Sequence, residues 1–194
     1  MTFDEIVSDY IREYRDDACA EMRFFEIQRS PSVAIRKAAL CELSSGKRHP
    51  HQRRIPKALL EQSEAQLQAI GGKLANAADF SALHRLVEGE IGSIKGVGAL
   101  TVYDIALRIG AHFGKAPEHV YVHAGTRTGA RVFNITGDSF DPRILPKSFS
   151  RLAPSEIEDC LCIYKDELRD RTHSRTSRRK SGCAVANRQR CCWE

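Results

Sequence analysis

Apolar residues along the first part of the chain recur every three to four positions, which is the period of an α-helix. The pattern begins after Thr2, whose pairing with Glu5 is typical of an N-terminal capping box, and it continues as far as Phe25. This spacing predicts one long first helix.

Caps and glycines mark the helices that follow. Their predicted starts combine proline or a capping residue with a new apolar stripe, at Ser30, Pro56, Asp79, the GVG stretch 96–98 and Ser155. The second helix is expected to run to about Leu43, and the pair Gly71-Gly72 is expected to end the third. In residues 119–135, VYVH fits a short strand and TRTGARVF fits a turn of helix.

These elements together predict a mainly α fold. We expect one compact multi-helix domain over residues 1–168 and a disordered basic tail over residues 169–194, where apolar residues almost vanish. The tail carries a net charge of +6, so the other 168 residues sum to −1. Any binding of a polyanion by the domain therefore has to come from a local patch.

The composition excludes some classes of protein. No stretch approaches the roughly 20 apolar residues of a membrane helix, and the acidic N-terminus does not resemble a signal peptide. We therefore expect a cytoplasmic protein without a membrane partner. The seven scattered cysteines argue against a disulfide framework, and Cys160 and Cys162 are expected to lie on different faces of the last helix.

The stretch IKGVGALTVYDI, residues 94–105, places two glycines where two helices are predicted to meet. Val97 between them can fill the core, while Gly96 and Gly98 keep the backbone bare and free to adopt positive φ. The exposed N–H groups at the start of the next helix, together with the helix dipole, favour a phosphate oxygen. A turn that serves packing alone is the alternative interpretation.

This stretch resembles the helix-hairpin-helix motif over about residues 80–114. The matching positions are Ile94, Gly96, Val97, Gly98, Thr101 and Ile105, while Val102 replaces the usual alanine. The resemblance implies that main-chain N–H groups bind a DNA backbone phosphate without reading sequence. The phosphate site that it implies here consists of Lys95, Gly96, Val97, Gly98, Ala99 and Thr101.

A basic patch is predicted beside this site. The acid-free loop 46–57 and the segment AGTRTGAR, residues 124–131, supply its cations, which are Lys47, Arg48, Arg53, Arg54, Lys57, Arg127 and Arg131. The second segment is also open to two interpretations, a second anion-binding nest or a turn between elements. His49 and His51 lie in the loop with no acid nearby in the sequence, so we expect them to be solvated.

The best-known enzymes with this motif are base-excision DNA glycosylases, and the resemblance to them is incomplete. They place a catalytic Asp after the hairpin, and lyase-competent members place a Lys where this chain has Leu100. Here the only candidates are Glu118 and His123, and histidine replaces the carboxylate charge poorly. The sequence therefore favours binding without catalysis and leaves an enzyme open.

The function that these features predict is DNA binding without sequence specificity, with duplex DNA as the partner. We expect no metal and no cofactor. Two alternatives stay open, a diverged glycosylase-like or nuclease enzyme that uses Glu118 or His123, and a helical protein-interaction module whose hairpin only packs.

Overall fold

The computed structural model describes residues 1–170, and helix dominates them. The helices are α1 (Phe3–Glu13), α2 (Arg15–Glu26), α3 (Pro31–Ala39), α4 (Lys57–Ala69), α5 (Gly71–Ala75), α6 (Phe80–Ile91), α7 (Ala99–His112), α8 (Ala124–Ala130) and α9 (Pro154–Ile163). Further helical residues follow over 165–170. The mainly α fold class is therefore confirmed, whereas the predicted disordered tail falls almost entirely on residues outside the described part.

Two short strands complete the regular structure. Strand β1 (Val120–Tyr121) pairs antiparallel with β2 (Ser139–Phe140), and Val120 lies opposite Phe140. Both predictions for residues 119–135 agree with the structure. VYVH contains β1, and TRTGARVF, residues 126–133, lies in α8 and the short helical turn that follows it. His123 is the N-cap residue between them.

The prediction of a single long first helix is wrong, because the chain bends at Tyr14 (φ −126°, ψ −28°) and α1 ends there. The bend sends the two halves to different cores. In α1, Ile6 and Tyr10 join the core around α9, whereas Phe25 of α2 joins the core around α7. A straight helix could not reach both.

Three other boundaries also differ from the sequence pattern. Helix α3 ends at Ala39, before Cys41 adopts a left-handed conformation (φ 55°), and not near Leu43. The pair Gly71-Gly72 does not end α4 but begins α5. Helix α9 begins at Pro154, one residue before the predicted Ser155 cap.

A carboxylate caps α9 where the sequence suggested a serine. The backbone N–H of Ala153 donates to the carboxylate of Glu156 at 2.7 Å. The predicted partner of Ser155, Glu158, is instead buried and hydrogen-bonded to Thr126 of α8.

The described residues contain two apolar cores. The first lies among α3, α4, α5, α6 and α7, and its largest side chains include Phe25, Leu60, Leu67, Phe80, Leu83 and Tyr103. The second lies among α1, β1, α8 and α9, with Ile6, Tyr10, Val120, Phe149, Ile157 and Leu161. No helix within residues 1–170 has the length and apolar character needed to cross a membrane.

Candidate functional site

The turn that joins α6 to α7 has the layout that the sequence suggested. Val97 is buried, and the glycines on either side of it are exposed. Gly96 has a φ of +107°, a backbone conformation that residues other than glycine rarely adopt. The Val97 N–H is already used, because it donates to the carbonyl of Ile94 at 2.9 Å.

The N-terminus of α7 carries no side-chain cap. Its N-cap residue is Gly98, and no side chain within residues 1–170 caps the first turn. A helix leaves its first N–H groups without intrahelical partners, and they carry partial positive charge. Of the residues predicted for a phosphate site, Lys95, Gly96, Gly98 and Ala99 are exposed, whereas Val97 and Thr101 are buried.

The basic loop 46–57 packs against the same end of α7. Its buried Gln52 donates a hydrogen bond to the carboxylate of Asp104, and a Cβ on Gly96 would lie 3.0 Å from Leu59 just after the loop. Lys47, Arg53, Arg54 and Lys57 are exposed. The fold therefore places exposed cations on the segment that packs beside the hairpin.

Three of the predicted basic residues have structural partners. Arg48 donates to the carbonyl of Ile55 at 2.7 Å, and Lys57 pairs with Glu61 at 2.8 Å. Arg127 pairs with Asp138 at 2.9 Å and reaches the carbonyls of Val122 and Thr136. Because residues 124–130 form α8, Arg127 ties that helix to the strand pair; Arg131 is exposed beside it.

A partly enclosed cavity of about 270 Å³ begins beside the hairpin. One face of α7 forms its floor through residues spaced three and four apart, Leu100, Tyr103, Asp104, Leu107 and Arg108. The other walls come from α1, α2, the basic loop, the start of α8 and α9, with Tyr10, Tyr14, Glu21, Met22, His49, His51, His123, Glu158 and Asp159.

One side of the cavity holds a paired polar network. The guanidinium of Arg108, only 3% exposed, donates to Glu21 of α2 at 3.0 Å. The imidazole of His49 lies 3.8 Å from the same carboxylate. Together with the Gln52–Asp104 bond, these contacts join α2, the basic loop and α7.

The opposite side is acidic and incompletely paired. Nδ1 of His123 lies 3.3 Å from Glu158, which also accepts a hydrogen bond from Thr126. The hydroxyl of Tyr10 donates to Asp159 at 3.3 Å. Within residues 1–170, three buried polar atoms of the cavity have no partner: the hydroxyl of Tyr103 and Nε2 of His123 here, and Nη1 of Arg108 on the paired side.

Burial shifts the acids and the histidines in opposite directions. It raises the pKa of Glu158 well above its ordinary value, aided by the charge of Asp159, and it raises the pKa of Asp159 to about 6. Burial also lowers the pKa of His123 and of His49 to about 4. Near neutral pH both imidazoles are therefore uncharged, and burial favours the protonated form of the Glu158 carboxyl group.

This arrangement can bind and transfer protons. The imidazole of His123 and the carboxyl group of Glu158, 3.3 Å apart, are close enough to exchange a proton, and buried Nε2 of His123 has no hydrogen-bond partner within residues 1–170. Within residues 1–170, no group of three or more His, Cys, Asp or Glu is placed to hold a metal ion.

The cavity contains one of the two candidate catalytic residues. His123 lines it, whereas Glu118 is exposed on the surface and outside it. The expectation of a solvated His49 without a nearby acid is wrong, because folding brings Glu21 of α2 to the loop. Cys160 is buried in the second core, as expected of one of the two cysteines, and Cys162 lines the cavity.

Sequence reasoning missed the acidic residues of the cavity, although α7 carries a signal. Asp104 and Arg108 stand one helical turn apart within the otherwise apolar run VYDIALRIG. Two opposite charges on the buried face of a helix indicate a polar site rather than a plain core.

Comparisons of this chain with protein-family models, with curated proteins and with solved structures found no match.

Proposed function

We propose that this protein binds duplex DNA through backbone phosphate, without reading sequence, at the hairpin between α6 and α7. The observation that carries the proposal is the exposed, uncapped N-terminus of α7 at Gly98. Free N–H groups and the positive end of the helix dipole suit a phosphate oxygen. With no side chain at Gly98, a phosphate can approach the backbone closely.

The surroundings of the hairpin support the same function. A Cβ built on Gly98 would meet nothing within 4 Å, so the approach to the helix end is open. Exposed Lys95 lies next to the turn, and the cations of the basic loop are attached to α7 through Gln52 and Asp104. Phosphate contacts of this kind supply affinity that does not depend on sequence.

Fluorescence anisotropy with the full chain tests the proposal. A labelled duplex of about 25 base pairs is titrated between about 50 and 200 mM salt. The variant Gly98→Asp places a negative charge at the helix end. Gly72→Asp adds the same charge at another exposed glycine with open space around it, and so is the matched control.

The proposal predicts that Gly98→Asp weakens binding about tenfold relative to Gly72→Asp, because it replaces an attractive contact by repulsion. Affinity falls with salt in both proteins. Equal affinities for the two variants would locate the binding elsewhere, including residues after 170, and would overturn the proposal.

A second candidate function is an enzyme that acts on the bound nucleic acid. The observation that favours it is the cavity that contains His123 and reaches the hairpin at Leu100. At 1.5 Å per residue, Asp104 lies roughly 9 Å along α7 from Gly98. Strand-nicking and base-release assays test this candidate: product that His123→Asn abolishes supports it, whereas bound duplex without product contradicts it.

A further inference from the structure

The cavity beside α7 has the size of a site for one small ring. Ligand pockets for drug-sized molecules occupy about 300–1,000 Å³, and this cavity of about 270 Å³ lies just below that range. A dinucleotide cofactor would not fit. The occupant is therefore a compact molecule or one ring of a larger one.

Two buried donors, the hydroxyl of Tyr103 and Nη1 of Arg108, and one buried imidazole nitrogen, Nε2 of His123, have no hydrogen-bond partner within residues 1–170. Tyr103, Arg108 and His123 are 1%, 3% and 7% exposed, and each leaves one polar atom without a hydrogen bond. Native proteins pair almost all of their buried polar atoms, so a cluster of exceptions in one cavity calls for a partner. That partner has to offer acceptor atoms such as carbonyl oxygens.

Hydrogen-bond acceptors also line the cavity, and they restrict the net charge of the molecule that can bind there. Asp104 and Asp159 line the cavity, and their carboxyl oxygens are hydrogen-bond acceptors. An anion would lie among these acids, and a cation alone would leave Tyr103 and Arg108 without acceptors. An uncharged molecule with both carbonyl and N–H groups meets both requirements.

The remaining walls are flat or apolar. The rings of Tyr10 and Tyr14 stack at 6.0 Å, and the rings of Tyr103 and His123 lie 4.8 Å apart. Leu100, Leu107 and Met22 add aliphatic surface. Aromatic and aliphatic walls with a few convergent polar groups suit a planar ring whose edge forms hydrogen bonds.

We propose that this cavity binds a small uncharged heterocycle whose edge carries both carbonyl and N–H groups. Tyr103 and Arg108 donate to its carbonyl oxygens, and Asp104 accepts from its N–H groups. The inference supplies a substrate class for the second candidate function, and it stands or falls separately from duplex binding at the hairpin.

Ligand-observed saturation-transfer NMR on the full chain tests it with free uracil, cytosine and adenine as heterocycles. Orthophosphate and methylguanidinium, tested as competitors, represent anions and cations. The matching nucleosides show whether the ring is bound free or attached to a sugar. Anisotropy on the same preparations records duplex binding, so the two proposals can fail independently.

Two neighbouring tyrosines provide the matched variants. Tyr103→Phe removes the hydroxyl that has no partner. Tyr121→Phe removes a hydroxyl that lies 3.0 Å from Ser81, on a ring 5.4 Å from that of Tyr103 and outside the cavity. A purely structural role for the Tyr103 hydroxyl would lower the melting temperature of Tyr103→Phe.

We expect at least one free ring or nucleoside to bind. Its binding should be about tenfold weaker in Tyr103→Phe, because this variant loses one hydrogen bond to the ligand inside the cavity. Tyr121→Phe keeps the affinity but melts at lower temperature, whereas Tyr103→Phe melts no lower than the wild type. Displacement of a bound ring by methylguanidinium or phosphate, equal effects of the two variants, or no binding of any ring at millimolar concentration would overturn the proposal.

Discussion

The two polar surfaces of α7 differ in their relation to water. At the hairpin, Gly98 and Ala99 are exposed at the start of α7, so water can reach their N–H groups. In the cavity, Tyr103 and His123 keep polar atoms buried without partners, which costs stability of about 1–3 kcal/mol for each atom. The open helix end at the hairpin therefore costs the fold little stability, whereas the unpaired polar atoms of the cavity lower the free energy of unfolding.

The two sides of the cavity also differ in how completely their polar groups are paired. On one side, Arg108 is held by Glu21, and Asp104 is held by Gln52. On the other side, Nδ1 of His123 lies 3.3 Å from Glu158, and the hydroxyl of Tyr103 has no partner among the described residues. The paired side fixes the positions of α2, the basic loop and α7, so variants there should lower the stability of the fold, whereas removal of the Tyr103 hydroxyl on the other side should leave it unchanged.

The largest expected effect is on the paired side. Arg108→Met removes the buried cation that compensates the partly exposed Glu21, and breaking this pair should cost about 3 kcal/mol, the low end of the range for buried pairs. Arg12→Met is the control, since Arg12 pairs with Asp9 at an exposed position and should leave stability almost unchanged. Urea unfolding measures both, and a loss below about 1 kcal/mol for Arg108→Met would mean that the network does not hold these elements.

The pH dependence of stability should be next in size. The pKa of His49 is about 4 in the folded protein and about 6.5 when unfolded, so its contribution is complete above pH 6.5 and is lost as the pH falls toward 4. Between pH 7 and pH 5 it removes about 2 kcal/mol of stability. Asp159 acts in the opposite direction, because its raised pKa of about 6 favours folding as the pH falls.

Urea unfolding at pH 7 and at pH 5 isolates the histidine contribution. The fall in stability between the two should be about 2 kcal/mol smaller in His49→Gln than in the wild type. The same substitution at exposed His119 serves as the control. An unchanged fall in His49→Gln would contradict burial of this imidazole.

A smaller effect separates the two glycines of the hairpin. Gly96→Ala should cost about 1–2 kcal/mol, because its φ of +107° disfavours a side chain and the new Cβ would lie 3.0 Å from Leu59. Gly98→Ala has an ordinary φ of −92° and open space, so it should cost only about 0.5 kcal/mol, from the weaker preference of alanine for the N-cap position. Thermal unfolding compares them, and equal losses would contradict the different roles given to the two positions.

The sequence was a good guide where the determinants are local. Gly96, Val97 and Gly98 are consecutive, so their exposed–buried–exposed layout followed from the motif. Asp79 caps α6 through a hydrogen bond to a backbone N–H three residues away, which is equally local. Helical periodicity, however, runs through Tyr14, where tertiary packing on two cores decides the bend.

The cavity was beyond the reach of local patterns. His49 meets Glu21, and Gln52 meets Asp104 across 52 positions of the chain. Such pairings depend on how α2, the loop and α7 pack, which no short motif encodes. Glu158 looked like a capping residue because it follows Ser155 by three positions, yet Glu156 forms the cap and Glu158 is buried.

The most direct test of the account is a backbone amide NMR titration of the full chain with a short unlabelled duplex. The account predicts that the amide signals of Gly98, Ala99 and Leu100 shift first and furthest, and that added salt reverses the shifts, because phosphate binds to the open end of α7. Shifts confined to residues after 170, with the hairpin amides unmoved, would contradict it.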